Sequence, residues 1–327
     1  MAAQARRQRN QARYRAALEA RGVHHSPYPL MDATINRDTA RRYRSLMNDF
    51  LEWADDERAA TDAALDMLIV EYFHERFADG YGKSSAEHLL FAWSHFMPEV
   101  RGMLPRAAQC VRGWNKLVPV NSHPPLTWDL AVAIGVRLAG IGKKRHGVAV
   151  LLGFDCLLRV GELCALRRED VVDGGVGRLG RDNDGRVVLR LRKTKTGNEK
   201  SVEVLDPSTI ALLRDVVART APGDRIFPFS TANFRAAMKA ACAAMGLSER
   251  YVPHSLRHGG ATRYRFFFKW TLEQVMERGR WAASRTTKRY IQSGRALAMS
   301  MDVPAALAAA ARVLAMSVVT AFALFAW

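Results

Sequence analysis

The chain has 327 residues and 49% hydrophobic content, enough for two ordinary domains with their own cores and outside the composition of disordered chains. Lys plus Arg total 49 against 32 Asp plus Glu, a net charge of +17, which calls for a polyanionic partner. The cysteines Cys110, Cys156, Cys164 and Cys242 stand alone, so neither a disulfide framework nor a thiolate zinc site is expected, and no cofactor motif is visible.

Residues 1–27 are rich in Ala, Arg and Gln and read as a basic N-terminal arm suited to lying on phosphates. A transit peptide is the competing reading, disfavoured by the lack of serine before Ser26 and by Glu19. The absence of an apolar h-region argues against secretion, so an intracellular, reducing setting is expected. Residues 28–117 carry helical stripes: Leu46, Phe50, Leu51 and Trp53, then Leu65, Leu68, Ile69, Tyr72, Phe73 and Phe77. A third runs through Leu89, Leu90, Trp93 and Phe96, and a weaker fourth through Ala107–Leu117. This predicts a small all-helical domain.

The segment VPVNSHPPLT, residues 118–127, breaks the period and reads as a linker. Residues 128–300 then predict a mainly helical domain with a small antiparallel sheet. Helices are expected at Trp128–Ile141, His146–Leu158, Ala165–Val172, Pro207–Arg219, Thr231–Met245, Ser255–Phe268 and Leu272–Arg278. Arg186–Arg192 and Lys200–Leu205 read as a β-hairpin. Residues 301–327 are Ala-rich and apolar with Arg312 as the only charge beyond Val303; a helix docking on another protein surface is the favoured reading over a membrane anchor.

Four stretches carry residues able to do chemistry. In LLRVGEL, Arg159 follows an apolar run, and Glu162 three residues on can hold its guanidinium; a structural ion pair at a helix turn is the plain alternative. In LRLRKTKTG, Lys193 and Lys195 share a strand face near a turn, where a lysine can swing into a groove, or merely guard a sheet edge. In HSLRHGG, His254 and Arg257 lie one helical turn apart at a helix start, behind Pro253 and ahead of His258. In GRWAASRTTKRYIQ, Trp281 precedes Tyr290 by nine residues within a basic run, and a packing aromatic is the default for such a tyrosine.

The order of these four stretches resembles the tyrosine recombinase (phage integrase) family, whose set is Arg, Lys, His-x-x-Arg, His or Trp, and Tyr. The resemblance covers about Thr127 to Gln292 and is Cre-like in placing Trp281 ahead of Tyr290. It implies a helical core-binding (SAM-like) domain at 28–117, a catalytic domain at 128–300 and an apolar C-terminal element at 301–327. It implies catalytic roles for Arg159, Lys195, His254, Arg257, Trp281 and Tyr290, with Glu162 and His258 supporting; Lys193 competes with Lys195. Gly279-Arg280-Trp281 replaces the family's common Leu-Gly-His. The implied partner is double-stranded DNA bound by a homotetramer, with no metal or small-molecule cofactor and no membrane role. The protein would then be DNA-associated, in a nucleus or a nucleoid. Two rivals share the resemblance. A type IB topoisomerase religates the strand it cuts, and a domesticated DNA-binding derivative no longer cuts at all.

Overall fold

The structure is a computed structural model that describes residues 11, 14–20, 22–54, 61–119, 123–174, 185–192, 200–292, 294, 297–298 and 301–327. The chain divides into two compact units, residues 1–121 and 122–327. Residues 1–10 of the basic arm lie outside the described residues.

The core of the first unit is packed by α1 (Arg37–Trp53), α2 (Asp62–Ala78), α3 (Lys83–Phe96) and α4 (Pro105–Leu117). Asn36 and Thr61 cap α1 and α2, accepting from the backbone N–H of Thr39 at 2.8 Å and of Ala64 at 3.2 Å. The first turn of α4 is capped from a distance. The buried Asp66 carboxylate on α2 accepts from the N–H groups of Arg106 at 3.0 Å and Ala107 at 2.9 Å, a favourable place for a negative charge. Phe50, Ile69, Phe73, Leu89, Trp93 and Trp114 close the core, with Phe50 edge-on to Tyr72 at 5.3 Å and to Trp93 at 5.9 Å. Leu51 and Phe77, assigned to the stripes by periodicity, are exposed. A 3.6-residue period carries flanking positions out to the edge of a helix face.

The second unit is organised around a helical hairpin, α5 (Trp128–Gly140) and α6 (Lys144–Asp155), joined through Gly142 at φ 72°. The two helices touch through glycine. A Cβ on Gly147 would stand 2.3 Å from the carbonyl oxygen of Gly135. From Gly147 to Asp155 every residue of α6 is buried, so this helix forms the middle of the unit. Around it lie α7 (Val160–Ala165), α8 (Pro207–Ala218), α9 (Thr231–Ala244), α10 (Pro253–Phe266), α11 (Leu272–Gly279) and α12 (Ser284–Tyr290). The sheet is β1 (Val171–Asp173), β2 (Val187–Leu191) and β3 (Lys200–Val204), antiparallel throughout, with Leu189 opposite Val171 on one side and Val202 on the other. Val187, Leu189 and Leu191 alternate inward on β2, the period expected of a sheet with one buried face.

Two expected helices are corrected. The helix expected over His146–Leu158 ends at Asp155, because Leu157 takes a left-handed backbone at φ 49°. The Ala165–Val172 segment is not a helix. It holds a single 3-10 turn, Arg168–Asp170, followed by β1. Its backbone pairs with a distant loop, Arg168 N–H with the Asp224 carbonyl at 3.0 Å and Ile226 N–H with the Leu166 carbonyl at 3.1 Å, which competes with local helical bonding.

The apolar C-terminus forms α13 (Ala305–Met316) and α14 (Val318–Ala323). Both pack on α5 of their own unit, and α14 also meets α8, in place of the separate protein surface that the sequence suggested. Phe322 is 0% exposed. Its ring lies against Gly135 and Gly147, where a Cβ would come within 3.1 and 3.0 Å of it. Lys144 then donates to the Phe325 carbonyl at 2.9 Å. Among the described residues no helix is long and apolar enough to cross a membrane.

Candidate active site

α10 begins at Pro253, whose missing N–H costs nothing in a first helical turn, and so projects His254 and Arg257 from the end of the helix. It can approach α6 closely because Gly259 and Gly260 lack side chains. A Cβ at Gly259 would stand 2.0 Å from the Leu126 carbonyl oxygen, and one at Gly260 2.2 Å from that of Phe154.

Arg257 is 0% exposed. Its two terminal nitrogens donate to the carbonyls of Leu157 and Gly279, and its Nε has no hydrogen-bond partner among the described residues. The guanidinium lies 4.7 Å from the Trp281 ring centroid and 5.5 Å from that of Tyr290. Burial first, then the charges of Arg280 and Arg159, push its pKa down, an electrostatic strain that an anion would relieve. Since no part of Arg257 is accessible, an anion can touch it only after a neighbour moves. Of the two rings over it, Tyr290 is the more exposed.

Arg159 is the N-cap of α7, at the end of the turn that follows α6, not the last residue of a buried helix. Its Nη1 donates to Glu162 Oε1 at 2.6 Å and its backbone N–H to Oε2 at 2.9 Å. Glu162 is also held by Arg280 Nη2 at 3.0 Å. Burial alone would raise the Glu162 pKa, but Arg280 and the bonds from Arg159 outweigh it and hold the carboxyl below its ordinary value. The cluster thus has three guanidiniums, of Arg159, Arg257 and Arg280, around one carboxylate.

The Tyr290 ring stacks between His258 at 4.5 Å and Trp281 at 4.4 Å. Its hydroxyl lies 3.0 Å from His254 Nε2 in the same chain. Burial, with Arg257, His123 and Arg159 nearby, lowers the His254 pKa to about 4, so its imidazole is neutral at pH 7 and can accept a proton. The end of α12 is tied down through Thr262, which donates to the Tyr290 carbonyl at 3.3 Å and accepts from Gln292 N–H at 3.2 Å. Trp281 Nε1 is buried without a hydrogen-bond partner among the described residues.

The expected residues Arg159, Glu162, His254, Arg257, His258, Trp281 and Tyr290 therefore converge, while Lys193 and Lys195 lie outside the described residues. Two groups escaped the sequence reading. Arg280 joins the cluster from a left-handed position, φ 55°, and its only sequence signal is that it stands where the resemblance puts a glycine. Asp155 carries no motif signal at all. Its side chain receives Tyr264 Oη, Arg278 Nη2 at 3.2 Å and Leu205 N–H at 2.8 Å, tying α10, α11 and the exit of β3 to the end of α6.

A mostly helical unit with a three-stranded antiparallel sheet, and a histidine, arginines and a tyrosine gathered at the end of its central helix, has the architecture of a tyrosine recombinase catalytic domain. Residues 137–296 match the phage integrase family, and the chain carries a domain of that family. The structure is similar to a lambda integrase dimer bound to a COC′ core site, with a TM-score of 0.57 and 17% identity over 86% of this chain and 75% of that one. It is also similar to the Tn1549 transposon integrase in complex with circular intermediate DNA, with a TM-score of 0.58 and 13% identity over 84% of this chain and 94% of that one. At such identities the likeness is one of fold. No curated protein sequence matches the chain.

Proposed function

We propose that the protein is a site-specific DNA recombinase in which Tyr290 attacks a phosphodiester and carries the broken strand as a 3′-phosphotyrosyl link. The observation that bears most on this is the Tyr290 hydroxyl at 3.0 Å from a His254 imidazole that is neutral at pH 7. A phenol with a pKa near 10 is a weak nucleophile and needs both a proton acceptor and a sink for the charge that develops on phosphorus. His254 is the acceptor. Arg159 and Arg257 hold the non-bridging oxygens, a task that suits the guanidinium fork. Arg257 does so once Tyr290 swings from its stacked position toward phosphorus, which uncovers the guanidinium beneath it.

Glu162 orients Arg159. Trp281 turns its indole N–H to a phosphate oxygen, and His258 supports the Tyr290 ring. Lys195 protonates the leaving 5′-oxygen, with Lys193 as its alternative. A 5′-hydroxyl from a second strand then displaces the tyrosine, regenerating the phosphodiester. Bond energy is kept in the linkage, so the chemistry calls for neither ATP nor a metal.

In this reading residues 28–117 form the core-binding domain and residues 128–300 the catalytic domain, joined by the linker at 118–127. The polyanionic partner of the +17 chain is duplex DNA, the kind of partner present in the lambda integrase and Tn1549 integrase complexes. A homotetramer assembled on DNA carries the two strand exchanges, and the protein works wherever that DNA is housed. The proximity of Tyr290 to His254 within one chain favours attack by a protomer's own tyrosine.

The test is a denaturant-resistant adduct with nicked suicide duplexes built from the DNA that flanks the gene. The wild-type protein should form it and Tyr290→Phe should not, while both bind the duplex equally. An adduct that survives Tyr290→Phe sinks the assignment. Equal binding with no adduct from the wild-type protein favours the domesticated DNA-binding reading.

A further inference from the structure

Arg280 links the tyrosine-bearing end of the fold to the turn that carries Arg159. Its side chain is buried, and it crosses to the other side of the site. Nη2 donates to Glu162 Oε2 and to the Leu157 carbonyl, both at 3.0 Å, and Nη1 to the Cys156 carbonyl at 3.2 Å and the Arg278 carbonyl at 3.0 Å. The Leu157 carbonyl is the same atom that receives Arg257. Glu162 is the same carboxylate that holds Arg159. One side chain thus touches the anchor of each of the other two arginines.

The backbone at both ends is unusual in the same way. Leu157 sits at φ 49° and Arg280 at φ 55°, two of three left-handed non-glycine residues among the described residues. Such conformations persist where the surroundings over-determine them, and here the four side-chain bonds of Arg280 provide that support. A glycine would adopt the turn at no steric cost, so the turn itself does not explain the arginine.

We propose that Arg280 is a positioning residue that makes the two-arginine clamp depend on the seating of the Trp281–Tyr290 segment. This rests on the recombinase reading above. When the segment is seated, Arg280 holds the Leu157 carbonyl and Glu162 in place, and so sets both guanidiniums at the spacing a phosphate needs. When α11 and α12 lift away, Glu162 loses one of its two arginines, Leu157 loses one of its two donors, and Arg257 also loses the Gly279 carbonyl. The protein then binds DNA without a completed clamp. Arg280 does not itself reach the phosphate, because its terminal nitrogens are spent on carbonyls and on Glu162. Its influence passes through Arg159 and Arg257.

The experiment uses the full chain and the suicide duplexes, in single turnover with saturating protein, on Arg280→Gly, Arg280→Lys, Glu162→Gln and the Arg280→Gly/Glu162→Gln double variant. Arg280→Gly should bind DNA with the wild-type salt dependence but form adduct about 10²-fold more slowly, the scale of an ångström misplacement. Millimolar methylguanidinium should restore part of that rate. Arg280→Lys keeps the charge but cannot span both Glu162 and Leu157, so it should also be slow. The double variant should lose less than the product of the two single losses, because the two residues share the Arg280–Glu162 contact while Arg280 also acts through the Leu157 carbonyl.

A wild-type rate in Arg280→Gly, or losses that multiply in the double variant, overturns the inference and leaves the recombinase reading standing. Should Arg280→Gly fail to fold, Arg280→Lys at the wild-type rate overturns it equally. A wild-type protein that forms no adduct removes the recombinase reading, and this inference with it.

Discussion

His254 offers a sharp quantitative test, because its surroundings move its proton affinity well away from that of a free imidazole. Burial is the largest cause, followed by Arg257, His123 and Arg159, and together they bring the pKa from 6.5 to about 4. At pH 5.5 a group titrating at 4 is about 97% neutral, whereas an ordinary histidine is about 9% neutral, roughly a tenfold difference in competent base. Adduct formation measured by rapid quench on a suicide duplex should therefore be nearly flat from pH 8 to pH 6 and decline only below that. The bound phosphate offsets part of the arginine repulsion but not the burial, so the midpoint on DNA should stay below 6. A midpoint at or above 6.5 refutes the assignment of His254 as a desolvated general base.

The same shift has a consequence for stability. The folded state binds its proton less readily than the unfolded chain, so stability is complete above pH 6.5 and is lost as the pH falls from 6.5 toward 4. His254 is only partly buried, and solvent screening reduces the loss to about 1 kcal/mol. His254→Gln should flatten that part of the stability–pH curve as followed by urea unfolding.

Two further predictions concern the packing that holds the site. Gly260→Ala gains about 1 kcal/mol of helix propensity but drives a Cβ against the Phe154 carbonyl, an overpacking of about 1–3 kcal/mol. The Phe154 backbone cannot yield and a Leu157 side-chain carbon would stand 2.4 Å away, so calorimetry should show a lower Tm together with a slower adduct rate as α10 is pushed from α6; a raised Tm would contradict the close contact. Phe322→Ala removes a fully buried ring from the glycine groove of α5 and α6, at about 3–5 kcal/mol and about 10 °C in Tm. An unchanged Tm would mean that the C-terminal helices do not dock on their own domain in solution.

The sequence reads well where one physical signal suffices. The helices of the first unit follow from a 3.6-residue apolar period, and the start of α10 follows from Pro253. Side-chain alternation marks β2 and β3 but not β1. Three residues are too few to show a period, and the strand exists because β2 lies beside it. Ala165–Val172 reads as helical for a related reason, since the backbone partners of Leu166, Arg167 and Arg168 lie more than fifty residues away. In the site, the order of Arg159, His254, Arg257, Trp281 and Tyr290 was visible because resemblance marks residue types in series.

Arg280 shows what the tertiary structure alone decided. In the sequence it is one more base in a basic run, and it sits where the resemblance would have a glycine. Its meaning depends on a left-handed turn at Leu157, more than a hundred residues earlier, which points a carbonyl at both Arg257 and Arg280. The C-terminus is parallel. Composition marks Val303–Trp327 as apolar and in need of cover, but composition does not say which surface covers it. That choice rests on Gly135 and Gly147, whose missing side chains leave a groove that Phe322 fills. By itself the sequence determined which residue types stand in which order, because periodicity, capping and charge are local. Which atoms face one another was decided only by the fold, because buried hydrogen bonds and close packing are satisfied between segments that no local pattern connects.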